Sequence, residues 1–306
     1  MGLTTAPTVA LTALAPAVWG STYLVTTELL PPDRPLLATT VRALPGGLFL
    51  LALGGRSPAG RRLPAGLWWW RAPVLGLLNI GAFNLLLFVA AYRLPGGVAA
   101  VILSAQPMFV VVLAAAVLGE PVTARRALAC ALGAGGVALL VLKGAVPLDG
   151  TGVLAAVGGA LCMAAGLTLA KRWGRPDGVG LLTFTGWQLT AGGVVLLPCW
   201  LSLERLPERL TGSNVLGFAY LAGLGAVLSY LLWFRGLARL PVVTVSFLAL
   251  ASPVTAALLG YLVKDQTLSA PQLLGIAAVF LAIAIVLGRP LSAAPGDARA
   301  RTVREK

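Results

Sequence analysis

The chain has 306 residues, 58% of them apolar and 11% charged, with mean hydropathy +0.91. A soluble globular chain is nearer half apolar and a quarter charged, so this composition excludes a soluble fold and describes a membrane protein. The net charge of +13 sits in short gaps between apolar runs, not among aromatics in a soluble segment, which excludes nucleic-acid binding. Cys130, Cys162 and Cys199 each lie inside an apolar stretch and read as free thiols, and the absence of histidine excludes imidazole chemistry.

Crossing roughly 30 Å of hydrocarbon takes about 20 apolar residues. The runs between Gly, Pro and charge punctuation predict ten transmembrane helices, over residues 8–29, 36–54, 72–92, 97–118, 124–142, 151–171, 179–200, 213–236, 241–263 and 271–288. The first run lacks a basic flank and a small-residue cleavage site, and reads as a retained span. Trp68-Trp69-Trp70, before the third, reads as an interfacial belt, and Arg93-Leu94-Pro95-Gly96-Gly97 as a tight turn. With both termini in the cytoplasm, the inner connections and tail hold sixteen of the Lys and Arg, the outer connections six, and Arg42 falls inside a span. The positive-inside rule therefore gives a multi-pass protein of the cell (inner or plasma) membrane with both ends cytoplasmic. Residues 290–306 form a basic tail, expected to be disordered and near anionic headgroups.

Shifted by 146 positions, the sequence aligns with itself from the second span to the fifth without a gap. The shift matches Arg93-Leu94-Pro95 with Arg239-Leu240-Pro241, Pro107 with Pro253, and Gly46-Gly47 with Gly192-Gly193. Five spans per repeat is an odd number, so the halves 1–146 and 147–289 enter the membrane from opposite sides. The expected fold is an all-α membrane protein of ten transmembrane helices, arranged as two inverted five-helix repeats around a central cavity. Such repeats exchange conformations about a fixed midplane site, which points to a carrier.

Trp19-Gly20-Ser21 in the first span, Arg42 in the second, Gln106-Pro107 and Leu118-Gly119-Glu120-Pro121 in the fourth and Trp187-Gln188 in the seventh form an ordered set. With the two repeats, it resembles the drug/metabolite transporter superfamily in its EamA-type branch of ten-helix exporters. The resemblance covers the chain to about Arg289. It implies an inner-membrane carrier whose cavity is walled by both repeats and which exports amino acids, other metabolites or drugs. The second-repeat counterpart of Gly119-Glu120-Pro121 reads Asp265-Gln266-Thr267, so the acidic turn is altered there.

Polar side chains in hydrocarbon are costly unless they face a cavity or a partner. Positions polar in both repeats are Thr39 with Thr185, Arg42 with Gln188, Asn84 with Tyr230, and Gln106 with Ser252. Asn84, Gln106, Gln188 and Ser252 fall near mid-span and are candidate substrate ligands; helix-to-helix hydrogen bonding is the alternative for each. Of the central aromatics Trp19, Phe83, Trp187 and Trp233, Trp19 and Trp187 adjoin small or polar residues, and Trp233, with Tyr230 further toward one face, completes the candidate wall. Such a wall suits an amphipathic or aromatic solute, a cation held by cation–π attraction included. Pro107 and Pro253 are expected to bend the fourth and ninth helices and to act as hinges, a static kink being the alternative.

Arg42 lies about 10 Å deep at 1.5 Å per residue, where arginine costs roughly 2.5–3.5 kcal/mol to insert. It needs a counter-charge, either Glu28 at the outer end of the first span or a substrate carboxylate. No acidic residue lies at mid-depth, so proton coupling through a central carboxylate is disfavoured. Clustered metal ligands, paired mid-span aspartates and magnesium-binding acidic motifs are missing, which argues against an enzyme, a cofactor or a metal site. The partners implied are a small molecule and the lipid bilayer, with no obligate protein partner evident. A non-transporting scaffold and a channel-like facilitator are the rival readings.

Overall fold

The computed structural model describes residues 5–32, 34–56, 63–94, 99, 102–141, 149–264 and 269–288. The basic tail, the Pro95-Gly96-Gly97 turn, the Asp265-Gln266-Thr267 turn and the start of the fourth expected span lie outside these residues. Among the described residues the regular structure is entirely helical. In chain order it runs through α1 (Thr5–Leu29) and α2 (Pro35–Gly54), then α3 (Trp68–Gly76), which continues through a π-helical stretch (Leu77–Ala82) into α4 (Phe83–Arg93). Next come α5 (Gln106–Leu118), α6 (Ala124–Val141), α7 (Gly150–Trp173) and α8 (Leu181–Leu203). A second π-helical stretch (Leu221–Leu228) joins α9 (Gly212–Tyr220) to α10 (Ser229–Arg239), and α11 (Val242–Leu248), α12 (Ala251–Lys264) and α13 (Ala270–Leu287) follow.

Eight helices are long and apolar enough to cross a membrane: Ala6–Leu29, Pro35–Gly54, Trp68–Ala90, Gly150–Trp173, Leu181–Leu203, Gly212–Arg239, Val242–Val263 and Ala270–Leu287. Two of the ten expected spans, 97–118 and 124–142, fall on the 13-residue α5 and the 18-residue α6, which are not among these eight.

Local signals fix the helix ends. Pro35 opens α2, where its missing N–H costs nothing. The first turn of α2 is capped from across the bundle, because Leu36 N and Leu37 N donate to the Glu204 carboxylate at 2.8 and 2.9 Å. Gly119 ends α5 at φ +70°, a left-handed conformation that glycine adopts without penalty. Asp149 caps α7 by accepting from Gly152 N at 2.7 Å.

Glycine sets the contact of α2 with α8. A Cβ on Gly47 of α2 would lie 2.5 Å from Thr190 N of α8, and one on Gly193 of α8 would lie 2.7 Å from Leu44 Cβ of α2. Residues 44 and 190, like 47 and 193, are 146 apart, so each contact repeats the other with the helices exchanged. Lipid offers no hydrophobic drive for helix association, and close backbone packing through small residues supplies the attraction instead. Elsewhere in the bundle α1 packs on α10 and α12, α7 packs on α4 and α5, and α6 packs on α13.

Two expectations about local structure are corrected. The third helix begins at Trp68, not at residue 72, and the tryptophan run forms its first turn. Successive helical residues point about 100° apart, so one ring of the three turns inward: Trp68 packs edge-on to Phe184 at 5.6 Å, while Trp69 and Trp70 remain exposed. The prolines do not bend continuous helices. Turns at Ser104–Ala105 and Ala249–Leu250 break the chain, and Pro107 and Pro253 fall in the first turn of the helix that follows. A first-turn proline forfeits no intrahelical bond, so a break costs less there than a mid-helix kink.

Valine at Gly47 or Gly193 is expected to lower stability by about 1–3 kcal/mol through overpacking. Alanine at Gly135, whose Cβ would meet nothing within 4 Å, is expected to be neutral. Thermal unfolding of the detergent-solubilised protein checks this, and an unchanged midpoint for Gly193→Val contradicts the packing account.

Candidate functional site

A cavity of about 380 Å³ opens where α1, α2, α4, α5, α10 and α12 converge. The first half of the chain lends Trp19, Thr22 and Thr26 of α1, Arg42 of α2, Asn84 of α4 and Gln106 of α5. The second half contributes Met163 of α7, Tyr230 of α10, and Ser252 and Pro253 of α12.

Both helix breaks sit at this wall. Ser104 precedes the start of α5, Ala249 and Leu250 precede α12, and all three line the cavity with Gln106 and Ser252. The turns are closed locally, with Ala105 N donating to Ile102 O at 3.0 Å and Ser252 N to Ala249 O at 3.0 Å. Two helix N-termini, each carrying the positive end of a backbone dipole, therefore meet the cavity.

Arg42 is held by a backbone feature. Its Nη2 donates to the Gly225 carbonyl at 3.1 Å, and Trp19 Nε1 donates to the same oxygen at 2.9 Å. Gly225 belongs to the second π-helical stretch, where the wider turn changes the hydrogen-bond register; such stretches recur at functional sites. Trp19 is further fixed by packing 5.2 Å from Tyr230 and 5.1 Å from Trp233. The guanidinium and the indole thus share one anchor, and Glu28 lies at the exposed end of α1, within 3.4 Å of Thr27 Oγ1.

Of the residues expected to form the site, Trp19, Asn84, Gln106, Tyr230 and Ser252 line one cavity, together with Arg42, Pro107 and Pro253. Asn84 Nδ2 also donates to Ile80 O of its own helix at 2.7 Å. Gln188, Trp187 and Trp233 stand outside the lining of this cavity. Gln188 is fully buried and accepts from Asn79 Nδ2 at 3.2 Å, so its amide serves the contact between α8 and the first π-helical stretch. This contact is the exchanged counterpart of Arg42 with Gly225, since residues 42 and 188, and residues 79 and 225, are each 146 apart. Trp233 stands behind Trp19, and Trp187 lies 6.4 Å from Trp68. Rings from Tyr230 through Phe234 and Phe184 to Trp68, with centroids 5.9, 6.2 and 5.6 Å apart, fill the bundle between the cavity and the face where α3 begins.

Sequence reasoning missed Thr22 and Thr26. Their signal was present, because positions 19, 22 and 26 have the i, i+3, i+7 spacing of a single helix face and two of them are polar in an apolar run. Met163 gave no such signal, being one apolar residue among many.

Comparison with known proteins accords with this geometry. The model of the EamA-like transporter family matches twice, over residues 6–142 and 150–288. Protein PecM of Dickeya dadantii is 46% identical over 272 residues, covering 89% of this chain and 89% of its own. The uncharacterized inner membrane transporter YedA of Escherichia coli is 28% identical over 90% of this chain and 89% of its own. A protein of known crystal structure shares the fold with a TM-score of 0.78 at 20% identity, over 92% of this chain and 96% of that one. On the double match across nearly its whole length, the chain belongs to the EamA-like transporter family.

Proposed function

We propose that this protein is an alternating-access carrier of ten crossings, built as two inverted five-helix repeats, that exports small amphipathic metabolites across the inner membrane. The observation that carries the reading is the cavity wall, drawn from both halves of the chain: Trp19, Arg42, Asn84 and Gln106 from one, Tyr230 and Ser252 from the other. Carriers with internal repeats bind substrate at the repeat interface, next to discontinuous helices. The exchanged contacts of Arg42 with Gly225 and of Gln188 with Asn79 support the inverted relation, because a two-fold axis in the membrane plane swaps partners in this way. The two separate family matches support the same division. Glu28 or a substrate carboxylate supplies the counter-charge of Arg42, and the breaks before Pro107 and Pro253 serve as hinges.

Three measurements test the proposal. With both termini cytoplasmic, tags at the two ends stay protected from antibody in intact spheroplasts and become reachable together after lysis; exposure of one end alone removes the ten-crossing topology. In proteoliposomes, a metabolite and drug panel is expected to yield at least one solute with saturable uptake. Asn84→Ala and Gln106→Ala lower that uptake about tenfold, the equivalent of one lost hydrogen bond of ~1.4 kcal/mol, while Leu201→Ala, at an exposed apolar position, leaves it unchanged. Uptake that scales linearly with concentration, untouched by the cavity substitutions, contradicts a carrier. Finally, Pro107→Ala and Pro253→Ala are expected to slow transport without impairing insertion, and native rates in both remove the hinges.

A further inference from the structure

Taking the cavity as the substrate site of the proposed carrier, we infer that it accepts an organic anion: one carboxylate joined to a flat, apolar ring system. Arg42 is the one charged residue among the described residues that line the cavity, and it is 9% exposed. A guanidinium remains protonated at every physiological pH, and its field is weakly screened in a site of low dielectric.

Two helix N-termini add to that field. The 13-residue α5 and the 14-residue α12 both begin at the cavity wall, with their dipoles positive toward it. Gln106, the first residue of α5, is 8% exposed, and its Nε2 has no hydrogen-bond partner. Gln106 lines the cavity at the positive end of α5, where a negatively charged group is favoured. Guanidinium and helix ends both favour an acceptor with negative charge.

The rest of the wall selects the remainder of the solute. Trp19, held by its bond to the Gly225 carbonyl, packs at a tilt on Tyr230 with centroids 5.2 Å apart, and the two give the wall a rigid aromatic surface that Phe83 extends. Fixed aromatic walls gain contact area at little entropic cost and suit a planar partner. A volume of about 380 Å³ lies at the small end of the roughly 300–1,000 Å³ range of ligand sites, which limits the ring system to one or two rings.

The structure argues against the cation that aromatic residues alone would admit. A cation near Trp19 meets repulsion from the guanidinium bound to the same carbonyl and from both helix ends. The site also has a single charged pole. The residue 146 positions after Arg42 is Gln188, which is fully buried and bonded to Asn79, so a second carboxylate finds no matching cation.

The test uses the full-length protein in detergent and three probes that differ only at the polar end: indole-3-acetate, indole-3-acetamide and tryptamine. In equilibrium dialysis, indole-3-acetate is expected to bind at least tenfold tighter than the other two. Arg42→Gln weakens it at least tenfold while changing indole-3-acetamide binding less than twofold, which also reports an intact fold, and Arg42→Lys recovers part of the loss. Gln106→Glu, which puts a negative charge at the start of α5 and offsets that of Arg42, removes the preference for indole-3-acetate. Tryptamine binding as tightly as indole-3-acetate to the unaltered protein, an undiminished acetate preference in Arg42→Gln, or binding of none of the three overturns the inference. Tight tryptamine binding that is lost in Asn84→Ala sinks only the anion and leaves the carrier cavity standing; the proteoliposome uptake assay decides the carrier independently.

Discussion

Inside a hydrocarbon layer each backbone N–H and C=O must find its partner within the protein, and this constraint governs where the bundle departs from regular helix. Among the described residues the two helix-breaking turns lie at the cavity and the second π-helical stretch holds two side chains of its wall, while the first π-helical stretch packs on Gln188. The turns at Ser104–Ala105 and Ala249–Leu250 close their own hydrogen bonds, and the carbonyl of Gly225 in the second π-helical stretch accepts from Trp19 and Arg42. Irregular backbone at membrane depth is tolerated where it lines a cavity or is buried in protein. Here the irregularity does both, and it orients the side chains that give the cavity its character.

The same constraint explains why an arginine persists in a span. Burying a guanidinium is costly unless polar partners receive it, and the Gly225 carbonyl is one such partner from a different helix. Trp19, bound to the same oxygen, becomes a rigid part of the wall. One carbonyl thus couples a charge to an aromatic surface. Under the proposed two-repeat reading, the corresponding place in the other half is taken by Gln188 and Asn79, a neutral amide pair sealed away from the cavity. On that reading the architecture is close to symmetric while its chemistry is not, so the two halves hold one polar pole between them.

Glycine makes that arrangement possible. Gly47 and Gly193 allow α2 and α8 to approach until any side chain at either position would collide. The contact fixes the second helix against the eighth and with it the depth of Arg42. Aromatic packing from Tyr230 to Trp68 then fills the bundle on one side of the cavity.

Much of this was legible in the chain itself. Helix positions followed from apolar runs and punctuation because the bilayer imposes length and apolarity on every crossing. The 146-residue offset was visible because the turn and packing residues that build each half, such as Gly46-Gly47 and Gly192-Gly193, have few substitutes. What the chain could not reveal was the direction in which a mid-span polar or aromatic side chain points. Gln188 and Gln106 look alike as amides in apolar runs, yet one meets Asn79 and the other faces the cavity, and Trp68 turns inward from a run that reads as interfacial. Lipid-facing and core-facing positions are both apolar in a membrane helix, so amphipathic periodicity gives weak guidance, and rotation about each helix axis is settled only by its neighbours. Composition and spacing determined a polytopic helical bundle; tertiary packing alone decided which few of its polar groups share a cavity.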